Sequence, residues 1–255
     1  MDTSTADPGP PARDQHTDRT RLLADAQPYC LQHALALAGA DALRLHGLPV
    51  RRRGADLLLV CADGPPLADL ATGLAETLRA AGHRTADSTG TARRHQLAVT
   101  AGLGLPDPAR PALRIELRRE PLRHPPVLPD GAPLPVAALD DTAALAVLTL
   151  CERALPADLF ALHAVTARLR EGQLLALAGV FDEEFTAGTL ADRLESAAAL
   201  LPSGAADTRQ WAEHWAQDLR LDLLETTELA DGLHDPYLDA AESAEDDPGG
   251  APDDL

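Results

Sequence analysis

Two carboxylates in this chain stand within short apolar runs whose patterns are typical of β-strands. Asp56 opens the run Asp-Leu-Leu-Leu-Val-Cys, directly after the basic segment Arg51–Arg53. Glu116 lies inside Leu113–Leu117, where a period of two puts the apolar side chains on one face and Arg114 with Glu116 on the other. If the strands are neighbours, the carboxylates converge, and two protein oxygens with the phosphates of a ligand commonly hold Mg²⁺. The alternatives are that Asp56 caps its strand or pairs with an arginine, and that Glu116 pairs with Arg114 on the solvent side.

A turn of small residues lies earlier in the chain, at positions 37–41 (Leu-Ala-Gly-Ala-Asp). Such a turn, leading into a helix, brings backbone N–H groups close to a phosphate in some proteins. A plain packing turn is the more common role of this pattern, so both interpretations stay open. We expect the following short helix to begin at Asp41 and to end at His46-Gly47, because glycine favours the end of a helix.

Arginines form small clusters along the chain, at Arg51–Arg53, at Arg93–Arg94, and at Arg114, Arg118, Arg119 and Arg123. Arginine binds phosphate groups in a bidentate manner, so these clusters are candidates for contact with a phosphate backbone. The alternative is solvated loop charge. All 22 basic residues are arginine, and the sequence has no lysine. That composition excludes a Schiff-base lysine, a P-loop lysine and a kinase-type lysine.

Strand and helix patterns alternate in the first half of the chain, whereas the patterns of the second half predict helices only. Residues 20–46 are mostly helical in composition, with breaks expected at Pro28 and Gly39. The predicted strands are Leu35–Leu37, Asp56–Cys61, Gln96–Thr100 and Leu113–Leu117, and the predicted helix between them is Leu67–Ala81. The later predicted helices are 140–153, 157–170, 171–180, 189–200 and 207–224. This order predicts an α/β (α+β) fold, with a mixed-sheet domain at 20–135 followed by a helical domain at 136–225.

Both ends of the chain have compositions that oppose folding. Residues 226–255 contain ten acids and no arginine, which accounts for much of the net charge of −18. We predict a disordered acidic tail there and a disordered N-terminus at 1–19. The alternative for the tail is a nucleic-acid mimic that occupies the arginine-rich groove. With no apolar run of signal or membrane-spanning length, and three scattered cysteines, we predict a cytoplasmic protein with no membrane contact and no disulfide framework.

Several short strings also occur in the order and spacing of one known family. The turn at Gly39 and Ala40, the pair His46-Gly47, and Arg52 four residues before Asp56 resemble the opening motif of actinobacterial AbiEii/AbiGii-type nucleotidyltransferase toxins. Residues 114–117 with 124–126 (His-Pro-Pro) are similar to a later motif of that family. The matched positions in its helix pair are Asp140, Asp141, Leu150, Arg153, Asp158 and Leu162.

The resemblance covers about residues 30 to 200 and implies a nucleotidyltransferase-like α/β domain followed by helices. It implies that Asp56 and Glu116 are catalytic and bind the metal. The nucleotide-binding residues that it implies are Gly39, Ala40, Arg52 and Asp158. It further implies Mg²⁺ and an NTP as cofactor and substrate, an acceptor such as tRNA or another nucleic acid, and an antitoxin protein as partner.

The departures from the family pattern fall on positions of one implied site. Leu58 replaces the second metal carboxylate, Ala40 replaces the second glycine of the turn, and alanine replaces a lysine, an arginine and an aspartate at Ala146, Ala157 and Ala161. Mg²⁺ needs a near-complete shell of oxygen ligands, and lysine and arginine stabilise a transferring phosphate. We therefore predict a degenerate family member, a pseudoenzyme that has kept the fold and lost the chemistry.

Three hypotheses remain open on the sequence. The first is the degenerate protein that binds a partner or a nucleic acid. The second is an active, divergent Mg²⁺-dependent nucleotidyltransferase that modifies tRNA or protein and uses Asp56 and Glu116 for the metal and Arg52 for the phosphate. Asp41 and Asp63 are the candidates for a substitute oxygen ligand. The third is an interaction module whose contact is the acidic tail.

Overall fold

The computed structural model describes residues 12–50, 56–86, 89–100 and 113–232. The first half contains α1 (Ala12–Gln32), β1 (Ala36–Ala38), α2 (Gly39–Leu45), β2 (Asp56–Cys61), α3 (Leu67–Ala80), β3 (Arg84–Thr85), β4 (Thr89–Gly90), β5 (Arg94–Thr100) and β6 (Leu113–Arg119). The second half contains α4 (Leu139–Arg153), α5 (Pro156–Val165), α6 (Glu171–Phe181), α7 (Ala187–Ala199) and α8 (Ala206–Gly232). None of the helices in these ranges combines the length and hydropathy that crossing a bilayer requires.

The strands form one mixed sheet in the order β1-β2-β6-β5-β3, and β4 pairs with β5 beside β3. Strands β2 and β6 run parallel, and the other pairs are antiparallel. The register of the parallel pair sets Asp56 opposite Arg114 and Leu58 opposite Glu116. Because side chains alternate along a strand, all four residues project from the same face of the sheet.

The opposite face of the sheet is apolar and packs on α1 and α3. Its buried side chains come from β2, β5 and β6, at Leu57, Leu59, Leu97, Val99, Ile115 and Leu117. Helix α3 presents Leu67, Leu70, Leu74 and Leu78 to this face, at the spacing of an amphipathic helix. Gly73 lets α1 come close, because a Cβ there would lie 2.4 Å from the hydroxyl of Tyr29, which donates to the carbonyl of Leu70. We call these side chains of β2, β5 and β6 the apolar face.

The other face is covered over only part of its width. Near β1 and β2, small side chains such as Ala38 and Val60 pack against Ala144 and Leu145 of α4. Farther along, Arg94, Gln96, Arg114, Glu116 and Arg118 of β5 and β6 share this face with Asp56. We call these six side chains the charged face.

Helices α4 to α8 enclose a second core of Leu, Ala, Val and Trp side chains. Leu43, Leu48 and Val50 from the first half belong to the same core, so α2 and the segment after it join the sheet to the helices. Trp215 is buried and Trp211 is partly buried against this core, which agrees with the i, i+4 spacing of the pair.

The sequence predictions hold for the elements with clear periodicity. The structure gives a mixed α/β fold followed by helices, and β2 has the predicted bounds. The two-residue strands β3 and β4 are too short to show a period and were missed. Helix α5 ends at Val165 rather than at residue 170, because Arg170 has extended backbone and caps α6.

The predicted ends and the predicted break in α1 need correction. Helix α1 includes residues 12–19 of the predicted disordered N-terminus, and α8 continues to Gly232, beyond the predicted start of the tail at 226. The rest of both predicted segments lies outside the described residues. Helix α1 also passes through Pro28, where we expected a break. Tertiary packing explains this, since Leu22, Leu23, Ala26 and Cys30 of α1 are all buried against the apolar core.

Candidate active site

A cavity of about 360 Å³ opens between the charged face of the sheet, the start of α2, and helices α4 and α5. Five of the six residues implied as site residues line it: Gly39, Ala40, Asp56, Glu116 and Asp158. The sixth, Arg52, lies outside the described residues. The positions where this chain departs from the family line the same cavity, at Ala40, Leu58, Ala146, Ala157 and Ala161.

The turn that leads into α2 forms one wall of the cavity. Gly39 has a φ of +64°, in the left-handed region that favours glycine. The strand before it is held by Leu37, whose N–H donates to the carbonyl of Pro135 and whose carbonyl accepts from Ala137. The chain therefore enters α2 with a fixed direction at this wall.

Asp41, the first acid of α2, is already paired. Its carboxylate forms an ion pair with Arg19 of α1, and both side chains are nearly buried. A second N–H of Arg19 donates to the backbone carbonyl of Asp56 at 3.2 Å. Arg19 thus links α1, α2 and β2 at the base of the cavity. Asp63, the other suggested substitute ligand, is exposed and is not among the residues that line the cavity.

Asp56 and Glu116 share the cavity but have different surroundings. Asp56 is open to solvent, with 64% of its side chain exposed, and its carboxylate lies 3.7 Å from Nε of Arg114. The structure thus gives Asp56 an arginine partner, which was one of the two alternatives from sequence. Leu58, half-buried, occupies the position opposite Glu116 where the family pattern has an acid.

Glu116 is enclosed by two guanidinium groups, and neither belongs to Arg114. Arg94 approaches Oε1 of Glu116 with Nε at 2.8 Å and donates from Nη2 to Oε2 at 3.0 Å. Arg118 donates from Nε to Oε1. Antiparallel pairing of β5 with β6 brings Arg94 next to this carboxylate, since Arg94 lies opposite Arg118. The alternative that paired Glu116 with Arg114 is therefore wrong, because Arg114 lies opposite Asp56 and pairs with it.

Arg118 is the buried centre of this charge cluster. Besides Glu116, it binds Glu152 of α4 through two hydrogen bonds of 3.0 and 2.9 Å. Burial lowers the pKa of the Arg118 guanidinium, but the hydrogen bonds and charges of Glu116 and Glu152 outweigh it and leave the pKa above its ordinary value. Arg118 therefore stays charged and links the sheet to α4.

Asp158 lies in the first turn of α5 and is nearly buried. Its carboxylate is bound by Nε and Nη2 of Arg153, from the last turn of α4. The left-handed residue Ala154 ends α4 and lets the chain turn so that the two side chains meet. Asp158, a matched acid of the helix pair, is thus neutralised locally by Arg153, a matched arginine.

Two further segments that carry the resemblance contact each other outside the cavity. Asp141 is fully buried in the first turn of α4 and accepts hydrogen bonds from the backbone N–H groups of Arg123 and His124. That contact ties the His-Pro-Pro segment to α4. It is a structural contact, and Asp141 is not among the cavity residues.

The donor set of the cavity does not fit Mg²⁺ as these residues stand. A magnesium site requires several oxygen ligands in near-octahedral geometry. Here every acid of the cavity has an arginine partner, and Leu58 stands beside Glu116. Over the ranges that the structure describes, no group of three or more His, Cys, Asp or Glu side chains is placed to hold a metal ion.

Some residues of the site were not found by sequence reasoning. In the sequence, Arg94 and Arg118 stand out only as members of arginine clusters. The feature that could have identified them is their position beside the two predicted strands, at 96–100 and 113–117. Arg153 was noted as a matched position without a role. Arg19 gave no signal, because it lies in the segment predicted to be disordered.

Comparison with known proteins gives weak likenesses only. No family model and no curated protein matches the chain. The structure of JHP933 from Helicobacter pylori is similar at 16% identity and a TM-score of 0.46, covering 88% of this chain and 98% of that one. MenT4, a nucleotidyltransferase toxin from Mycobacterium tuberculosis, is similar at 19% identity and a TM-score of 0.46, covering 82% of this chain and 91% of that one. Likenesses at this level do not establish a family or an activity.

Proposed function

We propose that this chain is a nucleotidyltransferase-like protein, resembling AbiEii-type toxins, whose cavity no longer supports metal-dependent nucleotidyl transfer. The observation that carries the proposal is the convergence of matched positions from separate parts of the sequence on one cavity. Gly39, Asp56, Glu116 and Asp158 come from four different elements, and all four line it. Positions chosen from short motifs would not be expected to meet in this way by chance.

The pairing of charges supports the loss of chemistry. Transfer of a nucleotidyl group depends on metal ions and cations placed to stabilise the developing charge on the phosphate. A metal ion bound by Asp56 and Glu116 would lie among the guanidinium groups of Arg94, Arg114 and Arg118. It would have to compete with them for the carboxylates and would be repelled by their charge. Binding of a partner, such as the antitoxin or RNA that the resemblance implies, is then the remaining role.

A second function, an active divergent nucleotidyltransferase, is favoured by one observation. Asp56 and Glu116 lie on the same face of adjacent strands and line the same cavity, and Asp56 is exposed. An incoming metal–nucleotide complex would therefore reach Asp56 without rearrangement of the sheet. The role implied for Arg52 belongs to this alternative as well.

A transfer assay separates the two functions. The purified protein and the variant Asp56→Ala are incubated with each α-³²P-labelled NTP, with Mg²⁺ or Mn²⁺, and with total RNA or protein lysate. We expect the same background label for both proteins, because the arginine-paired acids of the wild-type cavity do not fit a metal ion. Transfer that is present in the wild type and lost in Asp56→Ala would establish the active alternative, and the labelled band would reveal the class of acceptor.

A gain-of-metal variant tests the physical reason. Leu58→Asp restores a carboxylate opposite Glu116, while Leu58→Asn is its uncharged control. We expect 10 mM Mg²⁺ to leave the melting temperature of the wild type and of Leu58→Asn unchanged and to raise that of Leu58→Asp, since a ligand that binds the native state stabilises it. If Mg²⁺ raised the melting temperature of the wild type but not that of Asp56→Ala, the donors already present would be sufficient to bind the metal.

A further inference from the structure

A second cavity, of about 700 Å³, lies between α5, the turn that joins α7 to α8, and the first turn of α8. It shares only one lining residue with the candidate active site, Ala157 at the start of α5. Farther along this helix, Ala161 lines the candidate active site and Ala164 lines the second cavity. Helix α5 therefore separates the two spaces, and we call the second one the α5–α8 cavity.

The lining of the α5–α8 cavity is mostly apolar. The rings of Phe160 and His163 are its flat surfaces, and Pro49 and Pro202 also line it. Among the described residues that line this cavity, Asp207 is the only acid and none is arginine. The small side chains that leave the space open belong to Ala157, Ala164, Ala167, Gly204 and Ala205.

Two contacts hold the ring of His163 in one orientation. Its Nδ1 lies 2.9 Å from Oγ1 of the buried Thr208, and the ring stacks on Trp211 with the centroids 4.6 Å apart. Burial lowers the pKa of His163 below its ordinary value of 6.5, although the charge of Asp207 raises it in part. The imidazole is therefore neutral at pH 7, and the lining presents no positive charge to a ligand.

The carboxylate of Asp207 is free to bind a ligand. It is exposed in the first turn of α8, and no hydrogen bond or ion pair joins it to another residue of the described ranges. Arg209, two residues farther on, donates instead to the carbonyl groups of Ala198 and Leu201. Asp207 thus differs from the acids of the candidate active site, which are all paired with arginine.

We propose that the α5–α8 cavity binds a small organic cation, in which a protonated amine is attached to an aromatic body. The amine pairs with Asp207, and the aromatic body lies against Phe160 and His163. This inference goes beyond the proposed function and does not depend on it, because the two cavities have only Ala157 in common.

Both parts of the ligand follow from the lining. A volume of about 700 Å³ is in the range of sites that hold one small molecule, and such sites are largely apolar with a few placed polar groups. Burial of an aromatic body against Phe160 and His163 supplies affinity, since aromatic rings pack well on one another. A ligand that covers Asp207 displaces water from its carboxylate, and a cation compensates that loss best. We therefore expect the apolar body to set the affinity and the charge to set the selectivity.

Three probes with the same two-ring body and different charges test the selectivity. They are 1-naphthylmethylamine, 1-naphthalenemethanol and 1-naphthaleneacetate, and their dissociation constants for the full-length protein are measured at pH 7.5 by NMR titration. We expect the amine to bind about threefold more tightly than the alcohol and about tenfold more tightly than the carboxylate, as for one exposed ion pair. Equal affinities for the three probes, tighter binding of the carboxylate, or no binding of the amine at 5 mM would overturn the inference.

Removal of the charge at Asp207 should abolish the preference for the amine. Asp207→Asn keeps the shape of the side chain, so it should weaken binding of the amine about threefold and leave binding of the alcohol unchanged. The matched control is Glu213→Gln, at an exposed carboxylate of α8 that does not line the cavity, and it should change neither affinity. Equal losses of amine binding in the two variants would indicate general attraction to an acidic protein and would contradict the assignment.

Two alanines of α5 show which cavity the probes occupy. Ala164→Leu fills part of the α5–α8 cavity and should weaken binding of all three probes by about tenfold. Ala161→Leu makes the same change on the side of the candidate active site and should leave their affinities unchanged. A loss in Ala161→Leu that equals or exceeds the loss in Ala164→Leu would refute the assignment of the probes to the α5–α8 cavity. Thermal melts of all four variants confirm that each protein is folded when it is measured.

Discussion

The two faces of the same sheet differ in what their side chains do. On the apolar face, Leu, Ile and Val side chains are buried against α1 and α3. On the charged face, part of the surface is left open, and arginines and acids neutralise each other around a cavity. The backbone of β6 serves both faces at once, since Ile115 and Glu116 are neighbours in sequence. A single strand can therefore contribute to stability and to recognition through alternate residues.

This contrast indicates where substitutions affect folding and where they affect function. The apolar face, as defined above, contains no charged side chain, so it contributes to stability through the burial of apolar surface. On the charged face, exposed ion pairs contribute little to stability, because solvent screens them. Arg118 is the exception, as it is buried on the charged face.

The largest effect is expected on β6 itself. Ile115→Ala should lower the free energy of unfolding by about 2–5 kcal/mol, because it opens a cavity in a packed core. Arg114→Ala, one residue earlier and largely exposed, should change it by less than about 0.5 kcal/mol. Chemical denaturation followed by circular dichroism measures both. Similar losses in the two variants would remove the distinction between the faces.

A smaller effect on the free energy of unfolding is expected at Arg118, the buried arginine of the charged face. Arg118→Ala removes the buried one of the two cations that Glu116 and Glu152 share and leaves them with Arg94 alone. It should lower the free energy of unfolding by about 2 kcal/mol, less than the loss for a fully buried pair, because Arg94 remains and Glu152 is partly exposed. The same denaturation experiment checks it, with Arg114→Ala as the exposed control. A change as small as that of the control would mean that Arg118 contributes no more than a surface ion pair.

Much of the fold was predictable because periodicity reports burial directly. The alternation at Leu113–Leu117 predicted β6, and the leucines of α3 predicted an amphipathic helix, with Gly82 at its end in the left-handed conformation. Strands β3 and β4 were not predictable, because two residues show no period. Helix α1 was not predictable across residues 12–19, because its polar sequence holds no apolar stripe there.

The position of the site could be predicted from the sequence, but the pairing of its charged side chains could not. Asp56 and Glu116 were found from the spacing of carboxylates in apolar runs, and both line the cavity. Their partners could not be derived, since the register of β5 against β6 decides that Arg94 reaches Glu116. Pairing across strands is a tertiary property, and no pattern within one strand encodes it.

The smallest effect concerns Glu120, the residue after β6, at the edge of the charged face. Only 12% of its side chain is exposed. Burial raises the pKa of Glu120 above its ordinary value of 4.5, although the charges of Arg118 and Arg93 lower it in part. The folded protein thus holds this proton more tightly than the unfolded chain. Stability therefore falls as the pH rises from 4.5 through the folded-state pKa, and the loss is complete above that value.

Replacing this carboxyl by an amide should remove that loss. Glu120→Gln is expected to raise the melting temperature by about 2 °C at pH 7 and to have a much smaller effect at pH 4, where Glu120 is mostly protonated in both states. Calorimetric melts at the two pH values measure this, with Glu76→Gln on α3 as the control for an exposed carboxylate. A lower melting temperature for Glu120→Gln at pH 7 would mean that the attraction of Arg118 and Arg93 exceeds the cost of burial. Glu120 would then belong to the network of paired charges, and the charged face would extend beyond the end of β6.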